Sequence, residues 1–288
     1  MVESRKPPAT YCSLFQTYAR MGAVFVASTL PIHACQSNKD SLPPSPPVSA
    51  SAFASTSASA VSLPTAAASD GAADGDVRRV LVEQLEIDGD LPAFVVRGKK
   101  DGFKMVFLHG LCGNPYAYAL SFRHAAARLG TLLALQGNIS CGSDFRDWSC
   151  PPSQVDARIE RAFRALGDES DLRNLILIGY SSGATYAELL VLRNPSRYAL
   201  PILIASPQKP AYFRLRKARG VVLMAGERDR HDLMKSGLRD LSAREIPSAF
   251  FILPGATHGE MGNDAENVME NALLWIVRNA LADSTTAP

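Results

Sequence analysis

The pattern of apolar and polar positions changes near residue 77. From there onward, short apolar runs alternate with segments whose apolar residues recur at helical spacing. The predicted strands are 80–87, 91–96, 105–108, 131–135, 175–178, 200–205, 221–225 and 249–253, the first two forming a hairpin. The predicted helices are 115–129, 153–167, 182–193, 232–242 and 265–282. Strands that are apolar on both faces, with helices between them, indicate a mostly parallel sheet covered on both sides.

Residues 1–34 have the pattern of an export signal. Basic residues precede the apolar run 22–30, which is shorter than the roughly 20 residues that a spanning helix needs. The sequence IHAC at 32–35 resembles a bacterial lipobox, in which the cysteine is acylated and becomes the new N-terminus. His33 departs from that pattern, and the alternatives are a plain secretory signal, or a mis-called start, with Cys35 inert. We therefore expect an exported protein, periplasmic or held at the outer membrane or cell surface as a lipoprotein.

The segment 35–76 differs from the rest in composition. It is rich in Ser, Ala, Pro and Thr and has almost no large apolar side chains, so it cannot bury enough surface to offset its ordering entropy. We predict a disordered tether here and a single folded domain over 77–288. Without residues 1–34, basic and acidic residues are equal in number, so any membrane attachment would come from a lipid on Cys35.

Composition narrows the function classes. The 288 residues have a formal net charge of +2 and no arginine-rich face, which argues against nucleic-acid binding. Five cysteines are too few for a disulfide-dense scaffold, and no C-x-x-C zinc spacing occurs. We expect no metal and no cofactor, and we expect a monomer.

One motif carries candidate chemistry. Residues 179–183 read GYSSG, which matches G-x-S-x-G and lies between a predicted strand and a predicted helix. In that setting Ser181 would project above the sheet at a helix N-terminus, whose partial positive charge favours a developing anion. The alternative is a tight strand-to-helix turn with a surface serine.

A second motif follows strand 105–108. The turn HGLCG at 109–113 is Gly-rich, and we expect the backbone N–H groups of Leu111 and Ser182 to form an oxyanion hole. His109 is expected to hold the turn rather than to act as the base.

The acid and the base should both follow the nucleophile along the chain. Asp229 comes just after strand 221–225, and His258 comes just after strand 249–253. Carboxyl ends of parallel strands gather functional groups at one edge of a sheet. We therefore predict a Ser181, His258 and Asp229 triad, with His258 as the general base. Asp232 and Glu227 are reserve candidates for the acid.

Together these motifs resemble the α/β-hydrolase superfamily over about residues 77–288. The resemblance implies an eight-stranded, mostly parallel sheet with helices on both faces. Only about 15 residues separate strands 200–205 and 221–225, where many members insert a lid, so we expect no large cap domain, as in dienelactone-hydrolase-like enzymes and small carboxylesterases. The implied activity is hydrolysis of small-molecule acyl esters or thioesters. The alternatives are a serine peptidase or amidase of this fold, and an inactive hydrolase-fold binding lipoprotein.

Further predictions concern the loops around the site. We expect Cys112, Tyr180 and Trp148 to contact substrate, although Trp148 is as readily a packed loop aromatic. Cys141 and Cys150 bracket a loop beside the site, and in an exported protein they are predicted to form a disulfide. Cys112 is then left as a buried free thiol, or it is the true partner of one of the other two.

Overall fold

The computed structural model describes residues 80–168 and 172–282. The predicted export signal, the tether and the lipidation site Cys35 lie outside these residues. The strands are β1 (Val82–Leu85), β2 (Ala93–Val96), β3 (Phe103–Leu108), β4 (Gly130–Leu135), β5 (Ile139–Ser140), β6 (Arg146–Asp147), β7 (Ile176–Tyr180), β8 (Leu200–Ile204), β9 (Val221–Gly226) and β10 (Ser248–Leu253). The helices are α1 (Pro115–Ser121), α2 (Arg123–Leu129), α3 (Pro152–Ala165), α4 (Ser182–Arg193), α5 (Tyr212–Leu215), α6 (Asp232–Ser242) and α7 (Ala265–Ala282).

Eight of the strands form one sheet in the order β1-β2-β4-β3-β7-β8-β9-β10. β2 runs antiparallel to both of its neighbours, and every other neighbouring pair in the sheet is parallel. The predicted eight-stranded, mostly parallel sheet is therefore confirmed. Between β8 and β9 the chain forms only the four-residue helix α5, so this connection carries no cap domain.

The central strands β3, β4, β7, β8 and β9 are largely apolar because both faces of the sheet are covered there, whereas the edge strand β1 carries the exposed Glu83 and Gln84. Along β3, Val106 and Leu108 pack with α3, α4 and α6 on one face. Met105 and Phe107 point to the other face and pack with α1, α2 and α7. Burial on both faces gives these central strands nearly continuous apolar runs rather than an alternation of apolar and polar residues.

Two local features differ from the sequence prediction. The single helix predicted over 115–129 is broken at Phe122, whose backbone leaves the helical region at φ −140° and ψ 28°. Its ring is fully buried, 6.0 Å from the ring of Phe107, so tertiary packing overrides local helix propensity here. The short hairpin of β5 and β6, two residues in each strand, was not predicted at all.

No helix among the described residues is both long enough and apolar enough to cross a membrane.

Candidate active site

Ser181 occupies a sharp turn between β7 and α4. Its backbone lies at φ 51° and ψ −118°, a region that side-chain-bearing residues seldom adopt. The two flanking glycines permit the turn because neighbouring backbone passes too close to them for a side chain to fit. A Cβ on Gly183 would lie 2.1 Å from the Leu108 carbonyl oxygen, and one on Gly179 would lie 2.5 Å from the Gly183 carbonyl oxygen. The G-x-S-x-G spacing is therefore a steric requirement of this strand-to-helix turn.

The structure brings the three predicted triad side chains together. The Ser181 Oγ lies 3.0 Å from Nε2 of His258, and Nδ1 of His258 lies 2.8 Å from Oδ2 of Asp229. Both contacts are satisfied when His258 carries its proton on Nδ1, donates it to Asp229 and accepts the serine hydroxyl proton at Nε2. The imidazole is 52% exposed, whereas the Asp229 side chain is only 9% exposed.

Asp229, the predicted acid, is held in place by the loop that carries it. Oδ1 of Asp229 accepts a hydrogen bond from the Arg230 backbone N–H at 2.7 Å, which leaves Oδ2 directed at the imidazole. The two reserve candidates have other partners. Asp232 pairs with the Arg230 guanidinium at 3.5 Å, and Glu227 accepts from the Gly255 N–H at 2.7 Å. Glu227 thus ties the loop of the acid to the loop that leads to the histidine.

The turn 109–113 packs directly against Ser181. A Cβ on Gly110 would lie 3.0 Å from the Ser181 Cβ, so a larger residue here would have to push the turn and Ser181 slightly apart. Leu111 follows within the same turn and is 68% exposed at the rim of the site. Ser182 is the first residue of α4, where backbone N–H groups have no carbonyl partner within the helix. Both predicted oxyanion-hole residues therefore flank Ser181.

His109 lies beneath this turn and is fully buried. Its Nδ1–H donates to the Gly110 carbonyl at 2.7 Å, and its Nε2 accepts from the Gly137 N–H at 2.8 Å. Burial lowers the pKa of His109 to about 4, which keeps the ring neutral. The side chain therefore links the turn to the segment after β4, in keeping with its expected role in holding the turn.

The predicted disulfide is wrong. Cys112 pairs with Cys141, their Cα atoms 5.5 Å apart, and Cys150 is a buried free thiol. Cys112 pairs with Cys141 because of an antiparallel β-bridge between Gly113 and Arg146, in which the N–H of each residue donates to the carbonyl of the other at 3.0 Å. That bridge brings the hairpin that carries Cys141 alongside the turn, so the left-over cysteine is the true partner.

Two residues predicted to contact substrate are buried in structural positions instead. Trp148 is 7% exposed, stacks on His109 at 4.8 Å between ring centroids and donates its indole N–H to the His109 carbonyl. Tyr180 is 1% exposed, and its hydroxyl bonds to the loop that follows His258. The apolar body of each ring is needed in the core, and its polar group finds a backbone partner there.

A cleft of about 550 Å³ opens beside the triad between α1 and the loop after β10. It begins at the turn beside Ser181 and reaches Gly259, the residue after the base. Cys112, which was predicted to contact substrate, lines this cleft. The larger side chains of its wall are Leu111, Asn114, Tyr118, Phe145, Glu260 and Met261. Except for Leu111, the sequence analysis missed these larger side chains, because they come from loops and a helix that meet only in the folded chain.

Among the described residues, no group of three or more His, Cys, Asp or Glu side chains is arranged to hold a metal ion.

Comparison with protein-family models and with curated proteins finds no match for this sequence. Solved structures do share the fold. Naproxen esterase (carboxylesterase NP) from Bacillus subtilis has a TM-score of 0.51 and 15% identity, over 67% of this chain and 92% of that one. A predicted CIB-like hydrolase from Thermoplasma acidophilum has a TM-score of 0.50 and 14% identity, over 69% of this chain and 97% of that one. At such identities the likeness concerns the fold alone. Together with the strand order, it shows that this chain has the α/β-hydrolase fold.

Proposed function

We propose that this protein is a serine hydrolase that cleaves carboxylic esters, or thioesters, through an acyl-enzyme. The observation that carries the proposal is the continuous line of hydrogen-bonding contacts from Ser181 Oγ through His258 to Asp229, at 3.0 and 2.8 Å. Nucleophile, base and acid meet this way at the carboxyl ends of three separate strands. A surface serine in an ordinary turn would not require a strained backbone or these two partners.

The geometry supports the following sequence of steps. His258 Nε2 takes the hydroxyl proton of Ser181 as Oγ attacks the ester carbonyl carbon, and Asp229 stabilises the imidazolium that forms. The negatively charged oxygen of the tetrahedral intermediate accepts hydrogen bonds from the backbone N–H groups of Leu111 and Ser182. The alcohol leaves with the proton from His258, which leaves an ester on Ser181. Water, deprotonated by His258, then releases the acid and restores the serine.

The cleft supports a small or medium substrate of mixed polarity. Leu111 and Phe145 are 68% and 48% exposed at its rim, while Asn114 and Glu260 supply polar groups within it. Within the described residues the β8–β9 connection forms only α5, and the His258 imidazole is 52% exposed, which favours access of water for deacylation. One structurally similar protein is named as an esterase, and we propose an ester substrate for this chain too.

Covalent labelling tests the proposal. A fluorophosphonate probe should label the wild type once, at Ser181, and Ser181→Ala should abolish labelling and turnover of a p-nitrophenyl ester. Ser196→Ala is the matched control, because Ser196 follows the other end of α4 and its hydroxyl donates to Asn194 within the same turn. An unlabelled wild type would favour a binding module instead. Faster turnover of an anilide than of the matching ester would favour a peptidase or amidase.

We also propose that the protein is exported and held at a membrane by a lipid on Cys35. Two observations support export: the basic and apolar pattern of residues 1–34, and the Cys112–Cys141 disulfide, since disulfides persist in oxidising compartments. Cys35→Ser should move the protein from the membrane fraction of the producing cell to the soluble fraction. An unchanged distribution would contradict lipidation at this residue.

A further inference from the structure

The loop that carries His258 has little regular structure of its own. Residues 254–262 include three glycines with positive φ, Gly255 at 68°, Gly259 at 98° and Gly262 at 74°. Glycine backbone is permissive, so the sequence of this loop does not by itself fix where the imidazole lies. The ring is also 52% exposed, so core packing does not hold it either.

Two tyrosine hydroxyls hold the backbone next to the base. The Gly259 N–H donates to the Tyr180 hydroxyl oxygen at 2.7 Å, and the Tyr118 hydroxyl donates to the Gly259 carbonyl at 2.9 Å. Having accepted one bond, Tyr180 donates its own proton to the Glu260 carbonyl at 3.4 Å. The peptide groups on both sides of the Gly259 Cα are thus fixed, one residue away from His258.

The rings reinforce these contacts. Tyr180 meets the His258 imidazole edge to face at 5.8 Å, and Tyr118 packs on Tyr180 at 5.0 Å between centroids. Burial raises the pKa of Tyr118 to about 12, so its hydroxyl keeps the proton that it donates to the loop. From inside the loop, the Glu260 carboxylate accepts from the Thr257 N–H and hydroxyl, which closes the turn around His258.

The two tyrosines come from elements that also form the site. Tyr180 is the last residue of β7 and directly precedes Ser181, so one strand end carries both the nucleophile and a tether to the base. Tyr118 belongs to α1 and also lines the 550 Å³ cleft. The side chain that a substrate would touch is therefore bonded to the loop of the general base.

We propose that Tyr118 and Tyr180 are positioning residues that hold His258 Nε2 within reach of Ser181. The inference rests on the proposed function for its effect on turnover. It also makes a statement about the loop alone, which is measurable without turnover. Because misplacing a catalytic group by about 1 Å costs up to about 100-fold, losing either hydroxyl should lower kcat by roughly 10- to 100-fold.

The test compares Tyr118→Phe and Tyr180→Phe, which remove only the hydroxyls. Each should lower kcat toward a p-nitrophenyl ester while KM stays within about twofold. Since both hydroxyls act on the same backbone, the double variant should lose little more than the worse single variant. Tyr118→Leu should in addition raise KM, because it removes a wall of the cleft. Tyr198→Phe is the control. It removes a buried hydroxyl that bonds to Asp156, and Tyr198 lies just before the amino end of β8, at the opposite end of the strands from Ser181.

A second readout does not depend on activity. Amide hydrogen exchange over 255–262, and solvent exchange of the His258 Nδ1 proton in the NMR spectrum, should both accelerate in the two phenylalanine variants and not in Tyr198→Phe. Unchanged exchange, or accelerated exchange with unchanged kcat, would overturn the inference. A wild type that neither reacts with the fluorophosphonate nor hydrolyses ester would overturn the proposed function instead, while the exchange data would still decide whether the hydroxyls hold the loop.

Discussion

Breaking the Cys112–Cys141 disulfide should destabilise the domain by a predictable amount. The bridge joins residues that are 29 apart in sequence, and closing a loop of that length removes about 3.5 kcal/mol of chain entropy from the unfolded state at 25 °C. The double variant Cys112→Ser with Cys141→Ser should therefore lower the free energy of unfolding by about this amount. For a domain of this size, that corresponds to a decrease in Tm of roughly 10 °C.

The assay is urea unfolding with and without reductant, followed by peptide mapping of the oxidised protein. Reductant should lower the stability of the wild type and of Cys150→Ala equally, and it should leave the double variant unchanged. Reduction should also slow ester turnover, since the bridge fixes the turn that carries the Leu111 N–H. A disulfide-linked peptide pair containing Cys150, or loss of the reductant effect in Cys150→Ala, would refute the pairing.

Three further outcomes are expected. Burial lowers the pKa of His109 to about 4 and raises that of Glu188 to about 7. His109 therefore makes the free energy of unfolding rise between pH 4 and 6.5, and Glu188 makes it fall by about 3 kcal/mol between pH 4.5 and 7. Glu188→Gln should thus be more favourable relative to wild type at pH 8 than at pH 4.5 by about that amount, and an equal effect at both pH values in urea titrations would contradict this. Asp229→Asn should lower kcat by about 1,000- to 10,000-fold, because the imidazole loses its orienting anion, while Tm changes little; retained activity would exclude Asp229 as the acid. Gly183→Ala should lower the free energy of unfolding by at least about 3 kcal/mol, because its Cβ would lie 2.1 Å from the Leu108 carbonyl oxygen. A stable, active variant would show that the turn is not as tight as described.

Most of the helices and strands could be predicted from local sequence patterns. The observed bounds of α4, α6 and α7 coincide with the predicted helices 182–193, 232–242 and 265–282. Each strand of the sheet was also found; for the central strands the reason is that burial on both faces leaves a nearly continuous apolar run that polar segments bound on either side. The contact among Ser181, His258 and Asp229 could also be anticipated, because each residue follows the carboxyl end of a recognisable strand.

The features that were missed depend on contacts between distant segments. Local helix propensity does not reveal that Phe122 packs on Phe107, and so the break between α1 and α2 was not predicted. The cysteine pairing depends on the bridge between Gly113 and Arg146, residues far apart along the chain. Motif position placed Tyr180 in the substrate pocket, whereas its ring is drawn into the core and its hydroxyl to the loop of the base.

The central claim is that Ser181 carries an acyl group during turnover. Mixing the wild type with p-nitrophenyl acetate, quenching in acid within the first turnovers and mapping the peptides by mass spectrometry measures this directly. We predict an acetyl group on Ser181 alone, formed with a burst of p-nitrophenol and absent from His258→Ala. Steady hydrolysis with no acylated peptide, or an acetyl group on another residue that the Ser181→Ala variant retains, would contradict the account.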